Sequence, residues 1–347
     1  MPPTLTLTTT LTTTLTTTLS LSLSLLSLSL LLPLLLLPSP ALASSKRGLV
    51  FTPNAATPDD DYLWRQPPSD LTWYYNYQAQ PSAVFQNWTQ AQFAFVPMLW
   101  GAPAADPATD TTFLEAVRAL VGAGLNLTHV LAFNEPDGPP GSGGSAVDPL
   151  TAARVWVNNV VPLQALGLKA GLPACTAGRA GLPWLRQFLA NCSSLVSAGR
   201  DAVVNCTYDF VPLHWYGNFE GMASHIGEYS AAFPNTSFWM TEYNLDNQNL
   251  AATQDFYNQS SAYLDGLDSI ERYSLFGAFR SAQSNVGPNA AMLSDAGRLT
   301  DMGAWYLGRP AMGVDPTSAA VGASARMLGW PTAYAVGLVV VVMQPWA

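Results

Sequence analysis

Two glutamates each follow a short apolar run that predicts a buried strand. Glu135 comes after Val130–Phe133 in the sequence Ala-Phe-Asn-Glu-Pro-Asp, and Glu242 comes after Phe238–Met240 in Trp-Met-Thr-Glu-Tyr. Pro136 cannot donate a hydrogen bond to a sheet ladder, so the chain leaves the sheet directly after Glu135. Two carboxyl groups in one cleft can divide the roles of general acid and nucleophile, and a carboxylate pair is therefore the first chemistry to consider.

Elements of alternating type must position these two residues. The predicted strands cover residues 48–53, 71–77, 93–101, 130–133, 169–174, 209–217, 237–244 and 273–280, and the predicted helices cover 113–120, 149–166, 184–189, 253–267 and 299–307. Eight strands that alternate with helices over about 260 residues predict an α/β fold, a single-domain (β/α)₈ TIM barrel. A doubly wound open sheet is the alternative. The first strand is not followed by a glycine-rich phosphate turn, which counts against that alternative.

Composition limits the class of partner. The chain has 347 residues, is 49% hydrophobic and 11% charged, and carries a formal net charge of −9 with 14 Lys and Arg. Few basic residues argue against nucleic acid or an anionic membrane surface as the main partner. A neutral substrate fits better, and some of the 38 aromatic residues (11 Trp, 13 Tyr and 14 Phe) could stack on sugar rings while most form the core. The three Cys and three His show no metal-ligand spacing, so we expect no metal and no cofactor.

Six motifs follow one another in a recognisable order. They are Leu-Thr-Trp-Tyr-Tyr-Asn-Tyr, Val-Pro-Met-Leu-Trp-Gly, Ala-Phe-Asn-Glu-Pro-Asp, Pro-Leu-His-Trp-Tyr-Gly, Trp-Met-Thr-Glu-Tyr and Ser-Asn-Val-Gly-Pro-Asn-Ala-Ala-Met-Leu. Over residues 47–307 this set resembles the fungal glycosyl hydrolase catalytic domains of glycoside hydrolase family 128. The resemblance implies a β-1,3-glucanase with a (β/α)₈ fold of the retaining clan, whose acid/base ends strand four and whose nucleophile ends strand seven. It therefore implies Glu135 as the acid/base and Glu242 as the nucleophile.

This resemblance predicts a secreted or wall-attached endo-β-1,3-glucanase that acts by double displacement. The two carboxyl groups of a retaining enzyme lie about 5–5.5 Å apart, and Glu242 must be ionised at rest while Glu135 is protonated. Two alternatives stay open. One is a related barrel that acts on another β-glucan or on mannan, and the other is a wall protein that binds β-glucan without useful catalysis. Solvated strand-end glutamates are the structural alternative for either residue alone.

Five further residues are candidates for substrate binding: Asn134, Trp100, His214, Trp215 and Tyr216. The amide of Asn134 could bind a sugar 2-hydroxyl, and the hydroxyl of Tyr216 could donate to Glu242. Trp100 and Trp215 end strands three and six, and we expect both to stack on glucose rings. His214 could donate a hydrogen bond in the site. The structural alternatives are a loop cap for Asn134, packing on the barrel for Tyr216 and a satisfied strand-end imidazole for His214.

Both ends of the chain predict processing. Residues 1–43 combine a low-complexity Thr/Leu repeat with a Leu/Ser run and end in Ala-Leu-Ala, which indicates a cleaved secretory signal, with a membrane anchor as the alternative. Residues 44–309 are the predicted catalytic barrel. Residues 310–347 end in an apolar stretch that resembles a GPI-anchor signal. We therefore expect an extracellular, cell-wall-located monomer whose only membrane attachment is such a lipid anchor.

The cysteines and the glycosylation motifs agree with secretion. Cys192 and Cys206 are close enough in sequence to close a short loop by a disulfide, which leaves Cys175 unpaired and buried. The predicted glycosylation acceptors are Asn87, Asn126, Asn235 and Asn258.

Overall fold

The structure is a computed structural model and describes residues 44–319. The predicted signal segment and the tail from residue 320 lie outside the described residues. The strands are β1 Gly48–Val50, β2 Trp73–Tyr75, β3 Ala94–Phe95, β4 Met98–Leu99, β5 His129–Asn134, β6 Lys169–Ala174, β7 Phe210–Tyr216, β8 Ser237–Asn244 and β9 Ile270–Leu275. The helices are α1 Thr112–Gly122, α2 Pro149–Asn159, α3 Val161–Ala165, α4 Gly181–Ser197, α5 Phe219–Ala232, α6 Leu250–Gly266 and α7 Asp301–Tyr306. Short 3₁₀ helices cover Pro58–Arg65, Ala83–Phe85, Pro140–Ser142, Ser281–Gln283 and Pro288–Ala290.

The strands form two parallel sheets. One has the order β1-β2-β3 and the other runs from β4 to β9 in chain order. Every ladder between these strands is parallel, as helical crossovers require. The predicted α/β class is confirmed, whereas these two sheets do not by themselves form the closed eight-stranded barrel that the sequence predicts.

Prolines and glycines explain the differences from the predicted elements. The predicted third strand is divided into β3 and β4 at Pro97, which has no N–H to give to a ladder. The predicted helix 149–166 is divided into α2 and α3, and Pro162 lies in the first turn of α3. Helix α5 was not predicted, because Gly221 and Gly227 weaken its helical pattern. The last strand, β9, begins three residues before its predicted start at Tyr273.

The strands separate two apolar layers. Trp73 and Tyr75 belong to an inner cluster that also contains Trp239, while Tyr74 packs on the other side against Phe85. This division follows the strand rule that neighbouring side chains point to opposite faces. The inner cluster reaches Glu242, because the hydroxyl of Tyr75 lies 3.5 Å from Oε1 of that residue.

The predicted disulfide is present. Cys192 on α4 is bonded to Cys206, 14 positions later, with their Cα atoms 5.5 Å apart. Cys175 is buried and unpaired, as expected. Among the described residues, no helix has the length and apolar character needed to cross a membrane.

Ordered packing extends beyond the predicted domain boundary at Arg309. The backbone N–H groups of Asp295 and Ala296 donate to the carbonyls of Pro316 and Ser318, both over 3.1 Å. The first residues of the predicted tail therefore pack against the loop that follows β9.

Candidate active site

The structure brings the two predicted glutamates together. Glu135 follows β5 directly and Glu242 lies near the end of β8. Their side chains are almost fully buried, since the two residues are 9% and 5% exposed. One carboxylate oxygen of each, together with Nδ1 of His214, lies within 4.8 Å of the others.

The backbone at Glu135 has an uncommon conformation. Its φ angle is 42°, in the left-handed region, and that of Phe133 is 41°. Such a non-glycine conformation costs on the order of 1–3 kcal/mol and persists only where the surroundings enforce it. Here the N–H of Glu135 donates to Ala174 over 2.7 Å and its carbonyl accepts from Gly138 over 2.9 Å. Strand β6 and the following turn thus hold Glu135 in a conformation that aims its carboxylate into the cluster.

Tyrosine hydroxyls surround Glu242. Tyr216 donates to its Oε2 and Tyr77 donates to its Oε1, each over 2.7 Å. Tyr75 donates to the carbonyl of Thr241 over 3.0 Å and lies 3.5 Å from the same Oε1. Burial, together with the charge of Glu242, raises the pKa of all three tyrosines, so they remain protonated donors. Hydrogen bonds of this kind favour the ionised form of a carboxylate.

His214 links the two carboxylates. Its Nδ1 lies 3.0 Å from Oε1 of Glu135 and 3.5 Å from Oε2 of Glu242. A register shift after Leu213 pairs His214 with Glu242 across β7 and β8. Burial by itself would lower the pKa of His214, but the charge of Glu242 and the hydrogen bond with Glu135 outweigh it and raise this pKa. A protonated imidazole therefore fits this position.

Asn134 and Trp100 flank the acid/base candidate. The Nδ2 of Asn134 donates to Gly143 over 3.0 Å, and its buried Oδ1 has no hydrogen-bond partner among the described residues. The atom left for a ligand is therefore an acceptor. The carbonyl of Trp100 accepts from the backbone N–H of Asn134 over 2.8 Å, which fixes the half-buried Trp100 beside it.

Trp215 is not brought to the cluster. Its neighbours His214 and Tyr216 face the carboxylates, so the indole lies on the opposite face of β7. There its Nε1 donates to Asn218 over 3.0 Å and its ring lies 5.4 Å from that of His225. Strand alternation thus directs the ring towards α5, and stacking of Trp215 on glucose stays a prediction.

Sequence reasoning missed two residues of the site, Tyr75 and Tyr77. Their spacing by two already indicated a shared face of the second strand. The sequence alone did not show that this face lies close to Glu242, which is 165 positions away from Tyr77. That proximity depends on how the two sheets come together.

Glu135, His214 and Glu242 are also a donor set that a divalent cation could use. Their oxygens already accept hydrogen bonds from Tyr77 and Tyr216 and contact Nδ1 of His214. A carboxylate whose oxygens are occupied by hydroxyl donors suits acid/base and nucleophilic chemistry better than metal ligation.

Comparisons with known proteins identify the family of this chain. The family model described as glycosyl hydrolase catalytic core matches residues 48–306. A curated relative, alkali-sensitive linkage protein 1 of Schizosaccharomyces pombe, is 27% identical over 271 residues, which cover 76% of this chain and 44% of the relative. The chain thus spans less than half the length of that relative.

Two solved structures are similar. The first is a glycoside hydrolase family 128 (subgroup I) endo-β-1,3-glucanase from Amycolatopsis mediterranei in complex with laminaritriose, with 26% identity, a TM-score of 0.53, and coverage of 76% of this chain and 98% of that one. The second is a family 128 (subgroup VII) oligosaccharide-binding protein from Cryptococcus neoformans, with 22% identity, a TM-score of 0.55, and coverage of 78% and 95%. The second likeness concerns the fold alone.

The family match extends over most of the chain, from β1 to the last helix, and includes both glutamates. The chain therefore belongs to the family of glycosyl hydrolase catalytic cores, and its resemblance to glycoside hydrolase family 128 is confirmed.

Proposed function

We propose that this protein hydrolyses β-1,3-glucan by a retaining double displacement. The observation that carries the proposal is the approach of the Glu135 and Glu242 oxygens to within 4.8 Å. Retaining glycosidases have carboxyl groups about 5–5.5 Å apart, whereas inverting enzymes keep about 6.5–9.5 Å to admit a water molecule. The short separation supports attack by one carboxylate rather than by water.

Each step then has a group to perform it. Glu135 donates its proton to the glycosidic oxygen as the C1–O bond breaks, while Glu242 bonds to C1 to form a glycosyl ester. In the second step Glu135 takes a proton from water, the water oxygen attacks C1, and Glu242 is released.

The surroundings of the two acids support these different roles. The hydroxyls of Tyr77 and Tyr216 bind both oxygens of Glu242 and orient its carboxylate, as a nucleophile requires. Glu135 has no such pair of hydroxyl donors among the described residues and contacts His214. Glu135 regains its proton from water in the second step, so the cycle needs no further proton from His214.

β-1,3-Glucan is the proposed substrate for two reasons. The A. mediterranei relative is an endo-β-1,3-glucanase and binds laminaritriose. The net charge of −9 suits a neutral polysaccharide. Oδ1 of Asn134 can accept a hydrogen bond from a sugar hydroxyl, and Trp100 can stack on a ring beside it. A panel of β-glucans and mannan would distinguish this substrate from those of related barrels and would separate endo from exo action.

We also propose that the two sheets are parts of one closed (β/α)₈ barrel. A parallel bridge joins Arg47 to Tyr273, between the start of the first sheet and the end of the second. Trp73 and Trp239, one from each sheet, share the inner cluster with ring centroids 5.1 Å apart. Strands β3 and β4 are separated by only two residues and would then count as one barrel strand.

We also propose that the protein is secreted and attached to the cell wall. The disulfide supports an oxidising compartment. The four predicted glycosylation acceptors are all exposed: Asn87, Asn126, Asn235 and Asn258. Mass spectrometry of the native protein would identify its glycans, its first residue and any lipid at its C-terminus.

An oligosaccharide-binding protein without turnover is the second candidate. The solved C. neoformans neighbour is such a protein within family 128. The close approach of Nδ1 of His214 to both carboxylates would also suit a binding site whose side chains keep one protonation state.

Glutamine variants distinguish the two candidates. We expect Glu242→Gln and Glu135→Gln to lower hydrolysis of β-1,3-glucan by at least about 10³-fold, with binding of oligosaccharides retained. Glu220→Gln, on the exposed face of α5, serves as the control and keeps full activity. Wild-type protein that binds the oligosaccharide without releasing product would favour the binding protein instead.

A further inference from the structure

A small cavity lies between the loop after β6 and the helices α4 and α5. Its volume is about 140 Å³, and it is lined by the loop Ala177–Arg179, by Leu182 on α4 and by His225, Glu228 and Tyr229 on α5. Pockets for drug-sized molecules measure roughly 300–1,000 Å³. This cavity is therefore suited to one small molecule, such as a single sugar ring.

His225 gives the cavity a built polar wall. The residue is 6% exposed, and its Nε2 is buried with no hydrogen-bond partner among the described residues. Burial, assisted by the charge of nearby His214, lowers the pKa of His225 to about 4. The imidazole is therefore neutral near pH 7, with one donor and one acceptor nitrogen.

Two opposite charges share the same cavity. Arg179 and Glu228 both line it and are exposed, and they form no ion pair with each other within the part of the chain that the structure describes. Their donors and acceptors remain free to bind a molecule that offers both kinds of group. An anion would meet Glu228, and a cation would meet Arg179. A neutral molecule with several hydroxyls suits both.

The cavity is connected to the proposed site through the loop that follows β6. Thr176, just before the lining loop, donates from its backbone N–H and its hydroxyl to Asp137 over 2.8 and 2.7 Å. Asp137 comes two residues after Glu135, the proposed proton donor to the leaving group. The ring of His225 also lies 5.4 Å from Trp215, between the site residues His214 and Tyr216.

We propose that this cavity is an accessory site for one glucose unit, with Arg179, His225 and Glu228 as its polar contacts. The inference rests on the proposed function for its choice of sugar. His225 takes no part in the proposed reaction at Glu135 and Glu242, and the accessory site gives this residue a role.

The three histidines of the chain supply the test. Imidazole NMR signals of the Glu242→Gln protein, assigned by single His→Gln variants, report on separate places. His214 reports on the carboxylates, His225 on the cavity, and His129 on the opposite end of the strands. Glucose and a β-1,3-linked glucose hexamer are titrated in turn, and hydrolysis by the wild-type protein is measured separately.

We expect glucose to shift the His225 signals with a half-saturating concentration on the order of millimolar, without shifting those of His129. Arg179→Ala and Glu228→Ala should raise that concentration about fivefold or more, the cost of one hydrogen bond. Arg186→Ala, at an exposed arginine on α4 that does not line the cavity, should leave it unchanged.

Two results would overturn the proposal. In one, glucose and the hexamer leave the His225 signals unchanged. If His214 still responds and the wild type still hydrolyses glucan, the proposed function survives without the accessory site. In the other, sodium phosphate shifts His225 while glucose does not, which would make the cavity an anion site.

Discussion

The hydroxyl of Tyr77 donates to Oε1 of Glu242 over 2.7 Å, although the two residues lie 165 positions apart. Tyr77 has a left-handed backbone with a φ of 60°. Tyr216 donates to the other oxygen of the same carboxylate, also over 2.7 Å. The proposed nucleophile is thus held from two sides, by Tyr216 at the end of β7 and by Tyr77, which lies two residues after the end of β2.

Removing the Tyr77 hydroxyl tests its contribution to the reaction. A hydrogen bond to a charged group is worth about 1.5–3 kcal/mol, so we expect Tyr77→Phe to lower kcat/KM by about 10–100-fold. The loss should fall on kcat, because the hydroxyl orients Glu242 rather than binding sugar. Tyr62→Phe, at a residue that is 57% exposed, is the matched control. Unchanged initial rates in Tyr77→Phe would exclude this role.

His214 should make stability depend on pH in a defined direction. The charge of Glu242 and the contact with Glu135 raise the pKa of His214 above its ordinary value of 6.5, against the effect of burial. A pKa that is higher in the folded state gives stability that is present below about pH 6.5 and is lost as the pH rises through the folded pKa. The free energy of unfolding should therefore exceed that of His214→Gln most at acid pH. Urea titrations between pH 5 and 9 measure this difference, and a gap that widens towards alkaline pH would contradict it.

His129 should have the opposite effect. Burial, together with the charge of Arg272, lowers the pKa of His129 to about 4. Between pH 6.5 and 4 the unfolded chain then binds a proton that the folded chain does not. The free energy of unfolding therefore decreases as the pH is lowered through this range. The loss attributable to this residue is up to about 3 kcal/mol. The His129→Gln protein should lack this part of the slope, and an identical slope in both proteins would rule it out.

The disulfide should contribute measurably to stability. Cys192 and Cys206 are 14 positions apart, and closing a loop of about 15 residues is worth roughly 3 kcal/mol. We expect the Cys192→Ala, Cys206→Ala double variant to lose about this amount in guanidinium unfolding, with activity retained at 25 °C. Addition of a reductant should destabilise the wild type and leave the double variant unchanged. Equal stabilities of the two oxidised proteins would contradict the expectation.

The sequence predicted those features that depend on local pattern. Glu135 and Glu242 could be identified because an apolar run precedes each of them, and the bounds of β6 and β8 were predicted correctly for the same reason. Strand alternation indicated that Tyr74 and Tyr75 face opposite sides, which the two apolar layers confirm.

Features that depend on distant contacts were not predicted. Tyr77 could not be assigned to Glu242 without the approach of the two sheets. Trp215 was expected in the cleft together with His214 and Tyr216, and the direction of its ring towards α5 depends on packing that the sequence does not show. Helix α5, which contains two glycines, was not predicted. Because His225 lies on this helix, the accessory cavity was not predicted either.

The most direct test of the central claim is the stereochemistry of the first product. Purified protein is mixed with a β-1,3-linked glucose hexamer, and the anomeric proton signals are followed by NMR from the first seconds. Retention through Glu135 and Glu242 predicts that the β-anomer is released first and then mutarotates. Early release of the α-anomer would contradict the double displacement, and the absence of any product would contradict the assignment as a hydrolase.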